Sequence, residues 1–209
     1  IGKSWGQGPQ HSQSLYSLLM NIPGLKLVAP TTPHDAKGCL VAAIRDHNPV
    51  IYVEHRMLHF QKGPVPETSF TVPPGKTRVT AVGKDITLVG LSHMQVECLR
   101  ARYELEQKGI QAEVIDPVWL SPLDLEPIVT SVKKTGKLLT VDTGWPDCGA
   151  GGTIAVKVME RLQEEKQIRI RCLGFKPVVC PTAPVLEDLF YPNPSTIAAE
   201  AFKMVKPGE

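Results

Sequence analysis

The fold is decided by one stretch: Leu25-Lys26-Leu27-Val28-Ala29, then Thr32-Pro33-His34-Asp35-Ala36-Lys37-Gly38 running on to His47, then Val50-Ile51-Tyr52-Val53-Glu54. Leu25 to Ala29 is a short apolar run of strand length. Val50 to Glu54 is a second such run, opened by Pro49. Between them Thr32 offers a hydroxyl N-cap and Pro33 sits in the first turn, where its missing N–H leaves no bond unmade, so a helix is predicted over 33–47. Strand, helix and strand in succession form an open α/β unit.

Downstream the same alternation returns. Strands are predicted over 78–82, 86–90, 111–115, 138–141 and 168–173. Helices are predicted over 94–107, from Ser121-Pro122 to near Gly136, over 153–165 with Ala155, Val158, Met159 and Leu162 on one face, and over 196–205. Between Phe60 and Lys76 the pattern lapses into Gly63-Pro64, Pro66 and Val72-Pro73-Pro74-Gly75, which continue neither a helix nor a central strand. The expected organisation is therefore a first domain over 1–60, a linker over 61–76 and a second α/β domain over 77–209.

Upstream lies Gly6-Gln7-Gly8-Pro9-Gln10-His11-Ser12-Gln13-Ser14. Its glycines permit close backbone approach and Pro9 stiffens the exit. Ser12 or Ser14 is expected to cap a helix whose Leu15, Leu18, Leu19 and Ile22 share a buried face. His11 then stands just outside that helix. Imidazole suits proton transfer near neutral pH, and the side chains of Gln10 and Ser12 are candidates to fix its tautomer. On these residues alone an ordinary structural turn outweighs catalysis.

The remaining features narrow the function classes. The 209 residues are ample for a core, and a net charge of +2 gives no reason to invoke nucleic acid or an acidic membrane. No apolar run approaches membrane-spanning length, and no signal peptide opens the chain at Ile1. Cys39, Cys98, Cys148, Cys172 and Cys180 are odd in number without zinc-site spacing, which favours a reducing compartment, with Cys148 read as buried or idle. Gly149-Ala150-Gly151-Gly152 lacks the full dinucleotide fingerprint, so tight helix-on-sheet packing is preferred there. His55 and His59 are expected as surface residues rather than a metal pair, and His34, His47 and His93 show no site logic of their own. Asp46 falls at a helix carboxyl end, where negative charge is unfavourable unless compensated. Ala43, Ile44, Asp46 and Asn48 could offer oxygens to a hard cation, against the plainer reading of a solvated helix end.

A resemblance changes these weights. The runs Gly8-Pro9-Gln10-His11-Ser12-Gln13-Ser14, Pro23-Gly24-Leu25-Lys26-Leu27-Val28-Ala29-Pro30, Asp35-Ala36-Lys37-Gly38, Ala43-Ile44-Arg45-Asp46, Asn48-Pro49-Val50, Gly144-Trp145-Pro146 and Cys180-Pro181-Thr182-Ala183-Pro184, with Leu186-Glu187 and Tyr191-Pro192, keep their order over nearly the whole chain. They resemble the beta subunit of thiamine-diphosphate-dependent 2-oxo acid dehydrogenases, of the pyruvate or branched-chain type. The resemblance implies part of a pyrimidine-binding domain followed by a transketolase C-terminal-type domain. It implies oxidative decarboxylation of a 2-oxo acid, pyruvate first, with acyl transfer to lipoyl groups. His11 would reach the substrate or the lipoyl group, with Gln10 and Ser12 orienting it. Implied cofactors are thiamine diphosphate with magnesium, shared with an alpha subunit, and potassium at Ala43, Ile44, Asp46 and Asn48. Implied partners are that alpha subunit, a second beta subunit in a heterotetramer and a lipoyl acyltransferase core, in the cytoplasm or the mitochondrial matrix.

Two departures accompany the resemblance. The family's cofactor-activating glutamate lies upstream of the stretch present here, and the Gly-Asp-Gly motif that holds magnesium belongs to the alpha subunit, so the chain alone is expected to be inactive. Thr153 stands where relatives often carry an acid. The competing reading is a non-catalytic assembly module of the same family. Single-chain transketolase and deoxyxylulose-phosphate synthase match the Gln10-His11-Ser12-Gln13 neighbourhood less well.

Overall fold

The computed structural model describes residues 1–2, 5–165 and 167–208. The first part holds α1 (Tyr16–Met20), β1 (Lys26–Val28), α2 (Pro33–Arg45), β2 (Val50–Tyr52) and a 3-10 turn at Arg56–Phe60. β1 and β2 pair in parallel, Leu27 opposite Ile51, as an α/β unit requires. Thr32 caps α2 by accepting the Asp35 N–H at 3.1 Å. The helix stops at Arg45, two residues short of expectation, because Asp46 turns extended and its carboxylate accepts the Asn48 backbone N–H at 2.9 Å.

The predicted face of Leu15, Leu18, Leu19 and Ile22 does not form. α1 spans five residues, so the full repeat never completes, and the buried position is Tyr16 while Leu15, Leu18 and Ile22 are exposed. Neither Ser12 nor Ser14 caps it, since Leu15 holds the N-cap position without a side-chain bond.

Residues 61–76 cross α2 in extended form and are tied to it. Val72 N–H donates to the Gly38 carbonyl at 3.0 Å, and a side chain at Gly38 would strike Phe70 and Val72. The Lys37 ammonium donates to the carbonyls of Pro66, Glu67 and Thr68.

The second part contains β3 (Arg78–Ala81), β4 (Ile86–Gly90), α3 (His93–Glu106), β5 (Ala112–Asp116), β6 (Trp119–Ser121), α4 (Glu126–Thr135), β7 (Lys137–Val141), α5 (Ala150–Leu162), β8 (Arg169–Leu173), α6 (Pro184–Phe190) and α7 (Pro194–Val205). Five of these strands form a sheet in the order β3-β5-β4-β7-β8, parallel except for β3. One face is covered by α3 and α7 through Met94, Cys98, Leu105, Ile197 and Ala201. The other meets α4 and α5 through Ile128, Val132, Ile154, Val158 and Leu162. α5 starts at Ala150 instead of Thr153, and its inward face uses Ile154 in place of Met159, which is partly exposed. The preferred packing reading of the glycine run holds, because a side chain at Gly151 would meet Thr140 Oγ1 of β7 at 2.7 Å.

Ser121 does not open a helix. It ends β6, which pairs antiparallel with β1 and so joins the sheet of the first part, in the order β2-β1-β6. The chain leaves one sheet at Asp116 and enters the other at Trp119. Val118 between them takes φ +57°, a costly conformation for a β-branched residue. It is held there by Asp116 Oδ1 accepting the Val118 N–H at 3.0 Å, by the Ala29 N–H donating to the Val118 carbonyl at 2.9 Å, and by a fully buried Trp119.

Beside this crossing Arg78 pairs with the fully buried Asp35 of α2 and faces Asp116 Oδ2 at 3.9 Å. Removing one partner of a buried pair leaves an uncompensated charge. Arg78→Met should therefore lower the unfolding free energy by roughly 3 kcal/mol, which urea denaturation followed by circular dichroism would measure.

Candidate active site

α3 carries the chain from β4 to β5 on one side of the sheet, while β7 lies on the other side of β4. The carboxyl ends of β4 and β7 therefore flank the topological switch point, where open α/β sheets bind their ligands. From β4 come Ser92 and His93, and from β7 come Asp142, Thr143 and Gly144.

The Gly6 to Ser14 loop lies against this crevice. Ser14 Oγ is 3.3 Å from Thr143 Oγ1, and the Gly6 N–H donates to Glu187 Oε2 at 2.7 Å. Side chains at Gly6 or Gly8, both at positive φ, would strike Thr182. Ser12 is buried and hydrogen-bonds the Tyr191 hydroxyl, whereas Gln10 and His11 are exposed on the outer side. The predicted trio is thus divided: His11 and Gln10 face solvent, and Ser12 faces inward as an anchor.

A cavity of about 350 Å³ opens alongside, lined by His55, His93, Glu97, Arg100, Tyr191 and Asn193 among others. His55 is buried, contrary to the expected surface placement, and its ring stacks on His93 with centroids 4.8 Å apart. Its Nδ1 accepts the Met57 N–H at 3.3 Å, which assigns the proton to Nε2. Burial, with His93 adding to it, pushes its pKa down to about 2, so His55 stays neutral. His93 Nε2 lies 3.4 Å from Glu97 Oε1, which also accepts from Arg100 at 2.7 Å. Sequence reasoning missed this stack because the strand-end position of His93 signals a binding face only once the strand order is known. His59 is on the surface, 4.0 Å from Glu54.

The candidate cation ligands sit at the carboxyl end of α2, away from this crevice. The Lys26 ammonium beside Asp46, helped by the Asn48 N–H groups, holds its carboxyl down at about 2. The compensating charge for the helix end is thus supplied by Lys26. The Ala43 carbonyl accepts the Asp46 N–H at 3.3 Å, and Ile44 is exposed. Among the described residues no group of three His, Cys, Asp or Glu is placed to hold a metal. Cys148, expected as buried or idle, is exposed at φ +56° ahead of α5.

Comparison with known proteins fits this geometry. Residues 5–61 match the transketolase pyrimidine-binding domain and residues 75–197 match the transketolase C-terminal domain. The chain belongs to the transketolase C-terminal domain family. It is 39% identical over 211 residues to the acetoin:2,6-dichlorophenolindophenol oxidoreductase subunit beta of Cupriavidus necator, covering all of this chain and 62% of that protein. It is 42% identical over 197 residues to the pyruvate dehydrogenase E1 component subunit beta of Rhizobium meliloti, covering 94% of this chain and 43% of that one. The chain thus spans between 43% and 62% of the length of these relatives. A split-gene transketolase described as an inactive beta4 tetramer superposes with a TM-score of 0.76 at 25% identity, over 94% of this chain and 63% of its own. A transketolase from Pichia stipitis shares the fold, with a TM-score of 0.61 at 15% identity over 95% of this chain and 28% of its own.

In this transketolase-type domain two buried acids, Asp116 and Asp142, are pushed from 3.8 up to about 7, chiefly by burial. Asp142 Oδ1 has no hydrogen-bond partner among the described residues, and the Ser92 hydroxyl lies beside the Tyr16 hydroxyl. When unfolded, each acid releases its proton near pH 4, but when folded it holds it to about pH 7. Folding therefore takes up protons across that window, and stability falls as pH rises through it and levels off above. Melting temperatures measured at intervals from pH 4.5 to 8 should decline accordingly, and Asp142→Asn should flatten part of the decline.

Proposed function

We propose that the chain is part of the beta subunit of a thiamine-diphosphate-dependent 2-oxo acid dehydrogenase component, with pyruvate as the favoured substrate and acyl transfer to lipoyl groups of a partner acyltransferase. The observation that carries this reading is the His11 loop, pinned across the switch point by residues of the second domain while its imidazole faces outward. The relatives named as beta subunits support it over nearly the full chain.

When bound, thiamine diphosphate supplies a nucleophilic carbon and an electron sink for decarboxylation. Its magnesium and diphosphate are assigned in this proposal to the alpha subunit. What this chain contributes is position and proton handling. His11, on a loop stiffened by Pro9 and anchored through Ser12 and Ser14, can donate or accept a proton at a substrate or lipoyl group brought to its outer face. Gln10 shares that face and orients the incoming group. The chain by itself is inactive in this reading, and the working assembly pairs two alpha with two beta subunits, in the cytoplasm or the mitochondrial matrix. Among the described residues no helix is long and apolar enough to cross a membrane. Potassium at Ala43, Ile44, Asp46 and Asn48 belongs to the same proposal, held mainly by backbone carbonyls because Lys26 already engages the Asp46 carboxylate.

A second reading, a non-catalytic assembly module, draws on the structural neighbour described as an inactive beta4 tetramer. Reconstitution separates the two. The beta subunit carrying this chain, combined with alpha subunit, thiamine diphosphate and magnesium, should release carbon dioxide from pyruvate faster than from branched-chain 2-oxo acids. His11→Ala should cut kcat by about 10² to 10⁴ at an unchanged melting temperature. Full activity in that variant removes the histidine from the mechanism, and absence of turnover in the parent favours the assembly module. For the cation, potassium chloride should raise the melting temperature above that in choline chloride at equal ionic strength, and the difference should survive in Asp46→Ala, which keeps the backbone carbonyls; equal melting temperatures in the two salts remove the cation from the proposal.

A further inference from the structure

The loop that carries His11 belongs to the first domain in sequence, but its anchors come from the far end of the chain. The segment from Cys180 to Tyr191 lies across it as a strap. Glu187, on α6, is buried, and its Oε2 accepts the Gly6 N–H at 2.7 Å, across 181 residues of chain. Thr182 fills the space beside Gly6 and Gly8, and its carbonyl oxygen would lie 2.8 Å from a side-chain carbon at Gly6. The Tyr191 hydroxyl bonds buried Ser12. Three contacts from one strap thus fix the loop at three points on the amino-terminal side of His11 or next to it.

The strap is itself stiff. Phe190 packs on Phe175 with ring centroids 4.3 Å apart, Tyr191 meets Phe175 edge-on at 5.1 Å, and Trp145 closes the cluster. Trp145 follows β7 and Phe175 follows β8, so the cluster is bolted to the carboxyl ends of the central sheet. The Trp145 indole N–H adds bonds to the carbonyls of Lys176 and Val178 at 3.1 and 3.3 Å. Rigidity passes from the sheet to the aromatic cluster, to Glu187 and then to Gly6.

From this geometry we infer that Glu187 is a positioning residue for the His11 loop, acting through the Gly6 N–H and never touching the reacting group. The inference rests on the reading of His11 as the proton-handling residue. A hydrogen bond from a backbone amide to a buried carboxylate is stronger than a neutral one and directional. A loop held by such bonds keeps its side chains within the narrow tolerance that proton transfer demands.

The test combines hydrogen exchange on the chain with turnover in the complex reconstituted with alpha subunit, thiamine diphosphate and magnesium. Glu187→Ala should speed exchange of the amides in the 5–14 loop by about tenfold while amides of β4 and β7 keep their protection, showing that the fold is intact. In the complex it should lower kcat about tenfold with little change in KM for the 2-oxo acid. Glu187→Gln, which keeps an acceptor oxygen, should restore most of both. Loop exchange unchanged in Glu187→Ala overturns the assignment, as does parental turnover in that variant or failure of Glu187→Gln to rescue. Absence of turnover in the parent complex overturns the reading of His11 on which the assignment rests, and with it the assignment's catalytic meaning.

Discussion

Everything in this molecule hangs from the crossing at Asp116 to Trp119, where one strand direction ends in the five-stranded sheet and a short strand begins in the other. The crossing demands a left-handed Val118, and such strain persists only where the surroundings over-determine it. Here they do. Trp119 is packed among Val28, Cys39 and Val72, and Asp116 holds the Val118 N–H from below. Arg78 reaches between Asp116 and Asp35, so a residue from each side of the linker shares one guanidinium. Without that cation two buried carboxyls would face each other in a region of low polarity.

The crossing sets the distance between the amino-terminal loop and the second sheet, and that distance makes the site. Because β6 is stitched to β1, the chain that precedes β1 is brought over the carboxyl ends of β4 and β7. The 180–191 strap then meets it from the opposite direction. The candidate catalytic side chain therefore sits on a segment that neither part of the chain could hold alone. Loops are positioned by scaffolds, and in this case the scaffold is the contact between the two halves.

Legibility in the sequence follows the same division between local and distant causes. The 25–54 unit was readable because Thr32, Pro33 and the β-branched run at 50–53 dictate their structure by near neighbours, and the structure moved its helix end by only two residues. The two large sheet faces were readable for the same reason. β6 was not, because Ser121-Pro122 looks like a helix start and only the pairing with β1, nearly a hundred residues away, makes a strand there. α6 was missed because its apolar residues do not repeat around a core: Val185, Leu186 and Leu189 are exposed, while Glu187 is the buried position. At the site, His11 stood out through its glycines. The buried state of His55 depends on Gly2 and His93, which no spacing rule connects to it. The Leu15, Leu18, Leu19 and Ile22 spacing misled because α1 spans only Tyr16–Met20, so Leu15 and Ile22 fall outside the helix and no shared face forms.

Buried polar groups at the two ends of the central sheet are held differently. Near the amino end of β4, the Thr87 hydroxyl is bonded to both Ser131 and Thr135 at 2.7 and 2.8 Å, and that buried network is closed. At the carboxyl end, Asp142 Oδ1 lacks a partner among the described residues, and Ser92 sits at φ +52°. An unsatisfied buried polar atom costs about 1 to 3 kcal/mol. Of the two acids that burial raises to about 7, Asp142 lies at this end and Asp116 at the crossing. The packed sheet faces hold the fold together, and the carboxyl ends of its strands carry the loop on which the proposed chemistry depends.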